Sequence, residues 1–226
     1  MKNLRLLLSL IVLAVLPSVA QVKPTLAVLG DSYSTFAGFI PEGNACWYNS
    51  PADHKRTDVT KVEQTWWWQV ANEGGYKLGA IESYSGSTVC NTGYRDENYS
   101  DRSFVTRCTN LGNPDIILIC GATNDSWANA PIGDYKYANW KRVDLYFFRP
   151  AMAKMLNDIK LHYPNVEVYF ILNTELKKEI NESVLEVCKH YDVPVIELVD
   201  IDKKSNHPSV KGMKAIAQQV LKFIKK

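Results

Sequence analysis

Residues 115–120 read DIILIC, and this apolar run decides the fold class of the chain. Successive side chains of a strand point to opposite faces, so a run without polar interruptions indicates a strand that is covered on both sides, as in a parallel sheet. Four other segments have strand-like patterns, namely residues 25–30, 77–85, 166–173 and 193–198. The sequence therefore predicts a five-stranded parallel sheet.

Helical patterns separate these strands. They cover residues 65–75, about 139–162, 175–191, and the segment from about Pro208 onwards, where apolar residues recur at helical spacing. Alternation of strands and helices predicts a doubly wound α/β domain with helices on both faces of the sheet. Two long loops, at residues 31–63 and 121–138, leave the carboxyl ends of strands. Open α/β sheets bind their ligands at that edge.

The N-terminus has the composition of an export signal. Lys2 and Arg5 precede the apolar run 6–16, and the small-residue segment 17–20 follows it. The apolar run is short for a membrane span, although an uncleaved anchor is the alternative interpretation. We expect a signal peptide at residues 1–20 that is cleaved after Ala20, a mature domain at residues 21–226, and a secreted or periplasmic location.

Charge and cysteine content restrict the possible partners. The formal net charge of +2 falls to 0 once Lys2 and Arg5 are removed, which argues against nucleic acid or an anionic membrane as a partner. The chain has no CxxC motif and no Cys/His cluster, so neither a metal nor a cofactor is predicted. Export permits one disulfide, and we expect it between Cys90 and Cys108. The sequence leaves the oligomeric state open.

Four polar positions follow the predicted strands and together suggest acyl transfer. Ser32, in LAVLGDSYS (26–34), is a candidate nucleophile, and His207, just before the last helix, is a candidate base. Gly86 and Asn124 could stabilise an oxyanion, Gly86 through its backbone N–H and Asn124 through its side-chain amide. Taken alone, each residue is better explained by a turn, a helix cap or, for His207, a surface loop. Their common position at strand ends favours catalysis.

The segments GDSYS, YSGST, GATND and HPS..G resemble the four sequence blocks of the SGNH, or GDSL, hydrolases, in that family's order. The resemblance covers nearly the whole mature chain. It implies a three-layer, flavodoxin-like fold and an ester hydrolase. In that family Ser32 would be the nucleophile and, through its N–H, an oxyanion donor together with Gly86 and Asn124, while His207 would be the base. The chain has no G-x-S-x-G motif, and this absence argues against the larger α/β-hydrolase fold.

One position departs from the family pattern. The family usually has Asp three residues before the histidine, and this chain has Lys204 there. An acceptor at Nδ1 normally fixes the tautomer of the imidazole and stabilises the imidazolium. Either Asp202 supplies that acceptor, or a backbone carbonyl or a water molecule does, and we favour the latter pair. Asp31 and Asp125 are interpreted as structural residues that bind loop amides.

Aromatic residues in the two long loops suggest a substrate class. Trp47, Tyr48 and Trp127 could stack on sugar rings or line an acyl groove, although packing within the loops is the alternative. We predict a serine esterase that removes a small acyl group, such as acetyl, from a carbohydrate or another small ester. The alternatives are a lipase or lysophospholipase and, because the family's aspartate is missing, a sugar-binding pseudoenzyme.

Overall fold

The computed structural model describes residues 22–49, 53 and 55–224, so the predicted signal peptide lies outside the described residues. Five parallel strands form the central sheet, in the order β2-β1-β3-β4-β5. This order is typical of flavodoxin-like folds, and it confirms the predicted five-stranded sheet. The strands are β1 (Thr25–Gly30), β2 (Lys77–Ser83), β3 (Ile116–Gly121), β4 (Glu167–Leu172) and β5 (Val195–Glu197).

Six α-helices are described, and they form a layer on each face of the sheet. They are α1 (Trp66–Gly74), α2 (Phe104–Arg107), α3 (Thr123–Ala128), α4 (Phe148–His162), α5 (Lys178–His190) and α6 (Val210–Ile224). Alternate residues of β1 illustrate the packing: Leu26 and Val28 lie in the cluster with α1 and α6, whereas Ala27 and Leu29 lie in the cluster with α2, α4 and α5. The architecture is therefore three-layered, as predicted.

The strand order brings the predicted site segments together. β1 lies between β2 and β3, so the segments that follow these three strands are neighbours at the carboxyl edge of the sheet. These segments carry Ser32, Gly86 and Asn124. His207 enters from a two-stranded hairpin, β6 (Lys203–Lys204) and β7 (His207–Pro208), which precedes α6 and was not predicted.

The predicted disulfide between Cys90 and Cys108 is wrong. Both side chains are free, buried thiols in the cluster on the α4 side of the sheet. The Cys90 thiol contacts the carbonyl of Thr92 and the Cys108 thiol that of Val105, so each is accommodated locally as a small apolar group.

Within the described part of the chain, no helix combines the length and apolarity needed to cross a bilayer.

Candidate active site

Ser32 begins a 3-10 turn, Ser32–Ser34, directly beyond β1. Asp31 precedes the turn, and its carboxylate accepts a hydrogen bond of 3.0 Å from the backbone N–H of Tyr33. Gly30 makes the tight turn possible, because a Cβ there would lie 2.5 Å from the side chain of Ser34. The turn leaves Ser32 only 3% exposed.

The imidazole of His207 faces this serine. Its Nε2 lies 2.9 Å from Ser32 Oγ, and its Nδ1 lies 2.9 Å from the backbone carbonyl oxygen of Ser205. A carbonyl oxygen only accepts hydrogen bonds, so Nδ1 carries the proton and Nε2 is the free acceptor. The Ser32 hydroxyl therefore donates to Nε2, which is the geometry that removal of the serine proton requires.

The hairpin turn supplies the Nδ1 acceptor. Ser205 and Asn206 connect the two short strands, and both have positive φ, at 49° and 61°. A two-residue hairpin loop whose residues both have positive φ is of the I′ kind, which asparagine tolerates well. The hydroxyl of Tyr33 donates to the Asn206 carbonyl at 2.7 Å and ties this turn to the serine turn. Asn206 alone carried a sequence signal for this hairpin, because asparagine tolerates a positive φ whereas serine is not typical of such turns.

Asp202 has a different contact. Its carboxylate accepts a hydrogen bond from the hydroxyl of Ser209, and that hydroxyl accepts one from the Gly212 amide at the start of α6. Position 212 has space only for glycine, because a Cβ there would lie 2.0 Å from the Asp202 carbonyl oxygen. Lys204, at the family's aspartate position, pairs with His207 in the hairpin register. The structure thus has a backbone acceptor at Nδ1, the alternative favoured from the sequence.

The three predicted oxyanion donors lie on adjacent segments. Gly86 has a φ of 85° within a turn that Ser87 N and Tyr84 O close at 3.2 Å, a conformation that favours glycine. Asn124 Nδ2 donates to the Ser87 carbonyl at 3.0 Å, which places the Asn124 amide beside the Gly86 turn. Among the described residues, the backbone amides of Ser32 and Gly86 donate to no protein acceptor, so both remain available to a ligand.

Two buried charged residues, Arg107 and Asp125, form hydrogen bonds that connect the segments at this edge of the sheet. The Arg107 guanidinium donates to the Gly30 carbonyl at 3.2 Å and to the Ser87 hydroxyl at 3.1 Å, and so links the serine turn to the Gly86 turn. It also forms a buried ion pair of 3.2 Å with Glu82. The Asp125 carboxylate accepts from the amide of Val89 at 2.8 Å, in keeping with the structural role predicted for it. Sequence reasoning did not assign Arg107 to the site.

Aromatic rings surround the imidazole. The Trp47 indole stacks on it with ring centroids 3.5 Å apart, and the Trp127 indole meets it edge-on at 6.0 Å. Trp127 is 38% exposed, so a bound molecule can reach it. Tyr48 is fully buried, and its hydroxyl donates to the Pro208 carbonyl. The expectation that Tyr48 contacts substrate is therefore wrong, because its ring packs beneath the loop that carries His207.

Burial sets the proton affinities of the site. Desolvation lowers the pKa of His207 to about 4, although its bond to Ser205 opposes the shift and the charges of Arg56 and Lys203 add to it. The imidazole is therefore neutral at pH 7 and able to accept a proton. Burial also raises the pKa of the Asp31 carboxyl to about 7.

Comparison with known proteins identifies the family. Residues 24–224 match the family model of the GDSL-like lipases and acylhydrolases. The chain belongs to this family. The GDSL-like chain is 54% identical to a protein of Bacteroides ovatus assigned to the GDSL-like lipases, with a TM-score of 0.89, over 91% of this chain and 99% of that one. A similarly assigned protein of Bacteroides uniformis is 52% identical, with a TM-score of 0.88, over 91% and 97% of the two chains.

A more distant match shares the fold of this GDSL-like hydrolase. A family two carbohydrate esterase of Clostridium thermocellum, in complex with cellohexaose, has a TM-score of 0.59 at 13% identity, over 90% of this chain and 64% of that one. No curated protein matches the chain. Family membership together with the close structural matches makes the protein an ester hydrolase.

Proposed function

We propose that Ser32 and His207 form a catalytic dyad that hydrolyses carboxylic esters. The observation that carries this proposal is the 2.9 Å contact between Ser32 Oγ and His207 Nε2. The bond from Nδ1 to the Ser205 carbonyl supports a dyad, because it holds the tautomer in which Nε2 accepts the serine proton. Asp202 has no catalytic role in this proposal, since its carboxylate is engaged by Ser209.

The reaction proceeds in two halves. Ser32 Oγ attacks the ester carbonyl carbon as its proton passes to His207 Nε2, and the carbonyl oxygen becomes an oxyanion. The Ser32 N–H, the Gly86 N–H and one Asn124 Nδ2–H donate to that oxygen. The intermediate collapses, the C–O bond to the alcohol breaks, and the alcohol takes the proton from Nε2. Water then attacks the acyl-serine, with His207 again accepting and returning a proton.

We further propose that the substrate is a small acyl ester, such as an acetyl group on a carbohydrate. The near-complete burial of Ser32 supports a small acyl group. A long acyl chain would need an apolar groove at the serine. The exposed indole of Trp127 supports a sugar ring as the alcohol part.

Export of the protein belongs to the same proposal. The basic, apolar and small-residue segments within residues 1–20 support a cleavable signal peptide and a secreted or periplasmic enzyme. A carbohydrate ester outside the cytoplasm is then the accessible substrate, and nucleic acid is not a partner. Mass spectrometry of the mature protein should find Gln21 at the N-terminus, whereas an N-terminal Met1 would contradict the proposal.

An ester panel tests the proposed activity. The protein should cleave p-nitrophenyl acetate and release acetate from acetylated oligosaccharides, with turnover falling steeply as the acyl chain lengthens. Ser32→Ala should abolish turnover while leaving the far-UV circular dichroism unchanged, because only one exchangeable proton and one oxygen are removed. Preference for long chains would instead indicate a lipase or lysophospholipase. Oligosaccharide binding without turnover would indicate a sugar-binding protein.

A further inference from the structure

Both polar atoms of the Asn124 side-chain amide have hydrogen-bond partners in the protein. Its Nδ2 donates to the Ser87 carbonyl at 3.0 Å, and its Oδ1 accepts a hydrogen bond of 2.7 Å from the hydroxyl of Tyr94. Nδ2 carries two protons, and Ser87 takes one of them. The other is free for a ligand. Tyr94 is the partner that sequence reasoning did not find, because it lies 30 residues from Asn124 in a loop without a recognisable motif.

We propose that Tyr94 is a positioning residue for ester hydrolysis, which orients and polarises the Asn124 amide so that its free N–H binds the oxyanion. This inference rests on the proposed role of Asn124 as an oxyanion donor. Tyr94 acts through Asn124 in this proposal and need not touch the substrate.

Two physical effects follow from the bond between Tyr94 and Asn124. The first is orientation: a flipped amide would turn Oδ1 towards the Ser87 carbonyl oxygen, and two acceptors would then face each other. The second is polarisation, because a proton donated to Oδ1 withdraws electron density from the amide and makes its N–H groups better donors. Both effects strengthen as negative charge develops on the ligand oxygen, so they act on the transition state more than on the bound ester.

The loop geometry supports this role for Tyr94. The two residues after it, Arg95 and Asp96, both have positive φ, at 56° and 59°. Such backbone is costly for residues other than glycine and persists where the surrounding contacts require it. Gly93 precedes Tyr94 at a position where a Cβ would lie 2.4 Å from the Tyr99 ring. The chain thus accepts backbone strain directly after the tyrosine that reaches Asn124, and it has no space for a side chain directly before that tyrosine.

The protonation state of Tyr94 also suits a donor. Burial raises the pKa of its phenol to about 12, with the negative charge of Asp31 adding to the shift. The hydroxyl therefore keeps its proton throughout the pH range in which an ester hydrolase of this kind works. Donation to Asn124 Oδ1 is then independent of pH, unlike the protonation of His207.

A double-mutant cycle tests the proposal. Tyr94→Phe should lower kcat for p-nitrophenyl acetate about threefold to tenfold, the usual effect of one lost neutral hydrogen bond, while KM changes less than twofold. In the Asn124→Ala background the same substitution should change kcat less than twofold, because the amide through which Tyr94 acts is gone. The position of the acid limb of the pH profile should not move, since His207 is untouched.

Tyr146→Phe is the matched control. The Tyr146 hydroxyl donates to Asn98 Oδ1 at 3.1 Å and so forms the same kind of bond to the same loop without contacting Asn124. We expect it to leave kcat within twofold of wild type. If Tyr94→Phe and Tyr146→Phe lower kcat equally, or if Tyr94→Phe keeps its full effect without Asn124, the positioning role is overturned. If Asn124→Ala itself has no effect on kcat, it is the proposed oxyanion hole that fails.

Discussion

The indole of Trp47 lies flat against the imidazole of His207, with ring centroids 3.5 Å apart and planes 8° apart. The Trp47 amide donates to the Thr35 hydroxyl, which in turn donates to the Ser32 carbonyl, so the indole is tied to the serine turn. The Arg56 guanidinium stands 4.0 Å from the indole centroid. This stack removes water from one face of the imidazole, and desolvation is the main cause that lowers the pKa of His207.

The pH dependence of the reaction should reflect this low pKa. The dyad needs neutral His207, so kcat/KM should rise with pH through an apparent pKa of about 4 and then stay level through neutral pH. Initial rates with p-nitrophenyl acetate at pH 3.5–8 locate this acid limb of the kcat/KM profile. An apparent pKa near the ordinary histidine value would contradict the desolvated imidazole described above.

Substitution of Trp47 should move this limb. Trp47→Leu readmits water to the imidazole and removes the surface on which Arg56 lies, and both changes favour the protonated ring. The acid limb should therefore shift to higher pH. Trp127→Ala is the comparison: it should raise KM for an acetylated oligosaccharide about fivefold, as loss of a stacking contact implies. It should shift the limb less than Trp47→Leu does, because the Trp127 ring meets the imidazole only edge-on at 6.0 Å. An unchanged limb in Trp47→Leu would show that the stack does not set the proton affinity.

Loss of Asp202 should have little effect on catalysis. Asp202→Asn preserves an acceptor for the Ser209 hydroxyl, so kcat should stay within about threefold of wild type, since neutral hydrogen-bond changes are worth little. His207→Ala should lower kcat by about 10²–10⁴, the usual contribution of a general base. Steady-state kinetics on both variants compares them directly. A loss of several orders of magnitude in Asp202→Asn would instead make Asp202 the third catalytic residue.

Restoring the family's aspartate should raise the basicity of His207. Residue 204 pairs with His207 across the hairpin, and paired side chains lie on the same face of a two-stranded sheet. In Lys204→Asp a carboxylate near the ring favours the imidazolium, so the acid limb of kcat/KM should move to higher pH. Lys204→Ala is the control for loss of the cation alone. If the acid limb of kcat/KM lies at the same pH in Lys204→Asp and Lys204→Ala, a carboxylate at position 204 does not reach the imidazole.

Removal of the Asn124 amide should affect the chemical step. Asn124→Ala should lower kcat by about 10²–10³, the usual cost of one oxyanion donor, because this contact strengthens as charge develops. KM should change much less. Steady-state kinetics with p-nitrophenyl acetate separates the two parameters. A rise in KM at unchanged kcat would assign Asn124 to binding of the ground-state ester.

Much of the fold was predictable because its signals are local. The apolar run in β3 and the helical spacing in α6 indicate burial without knowledge of any neighbour, and burial on both faces predicts a parallel sheet. The sequence predicted Ser32 at the carboxyl edge of the sheet, because Ser32 follows β1 and the carboxyl ends of parallel strands share one edge. His207 reaches the same edge from a hairpin that was not predicted. Cys90 and Cys108 were misjudged because spacing along the chain does not report how well a thiol packs.

The sequence by itself determined the order of elements and the residue types at the ends of β1, β2 and β3, since periodicity and turn composition are properties of consecutive residues. Only the tertiary structure decided what each side chain contacts. His207 Nδ1 donates to a carbonyl of the hairpin turn, and Asn124 Oδ1 accepts a hydrogen bond from the hydroxyl of Tyr94, 30 residues away in the chain. A hydrogen bond forms only when a donor and an acceptor lie about 3 Å apart, with a tolerance of a few tenths of an ångström. Atoms that are remote in the chain reach that distance only once the two layers of helices have packed on the sheet.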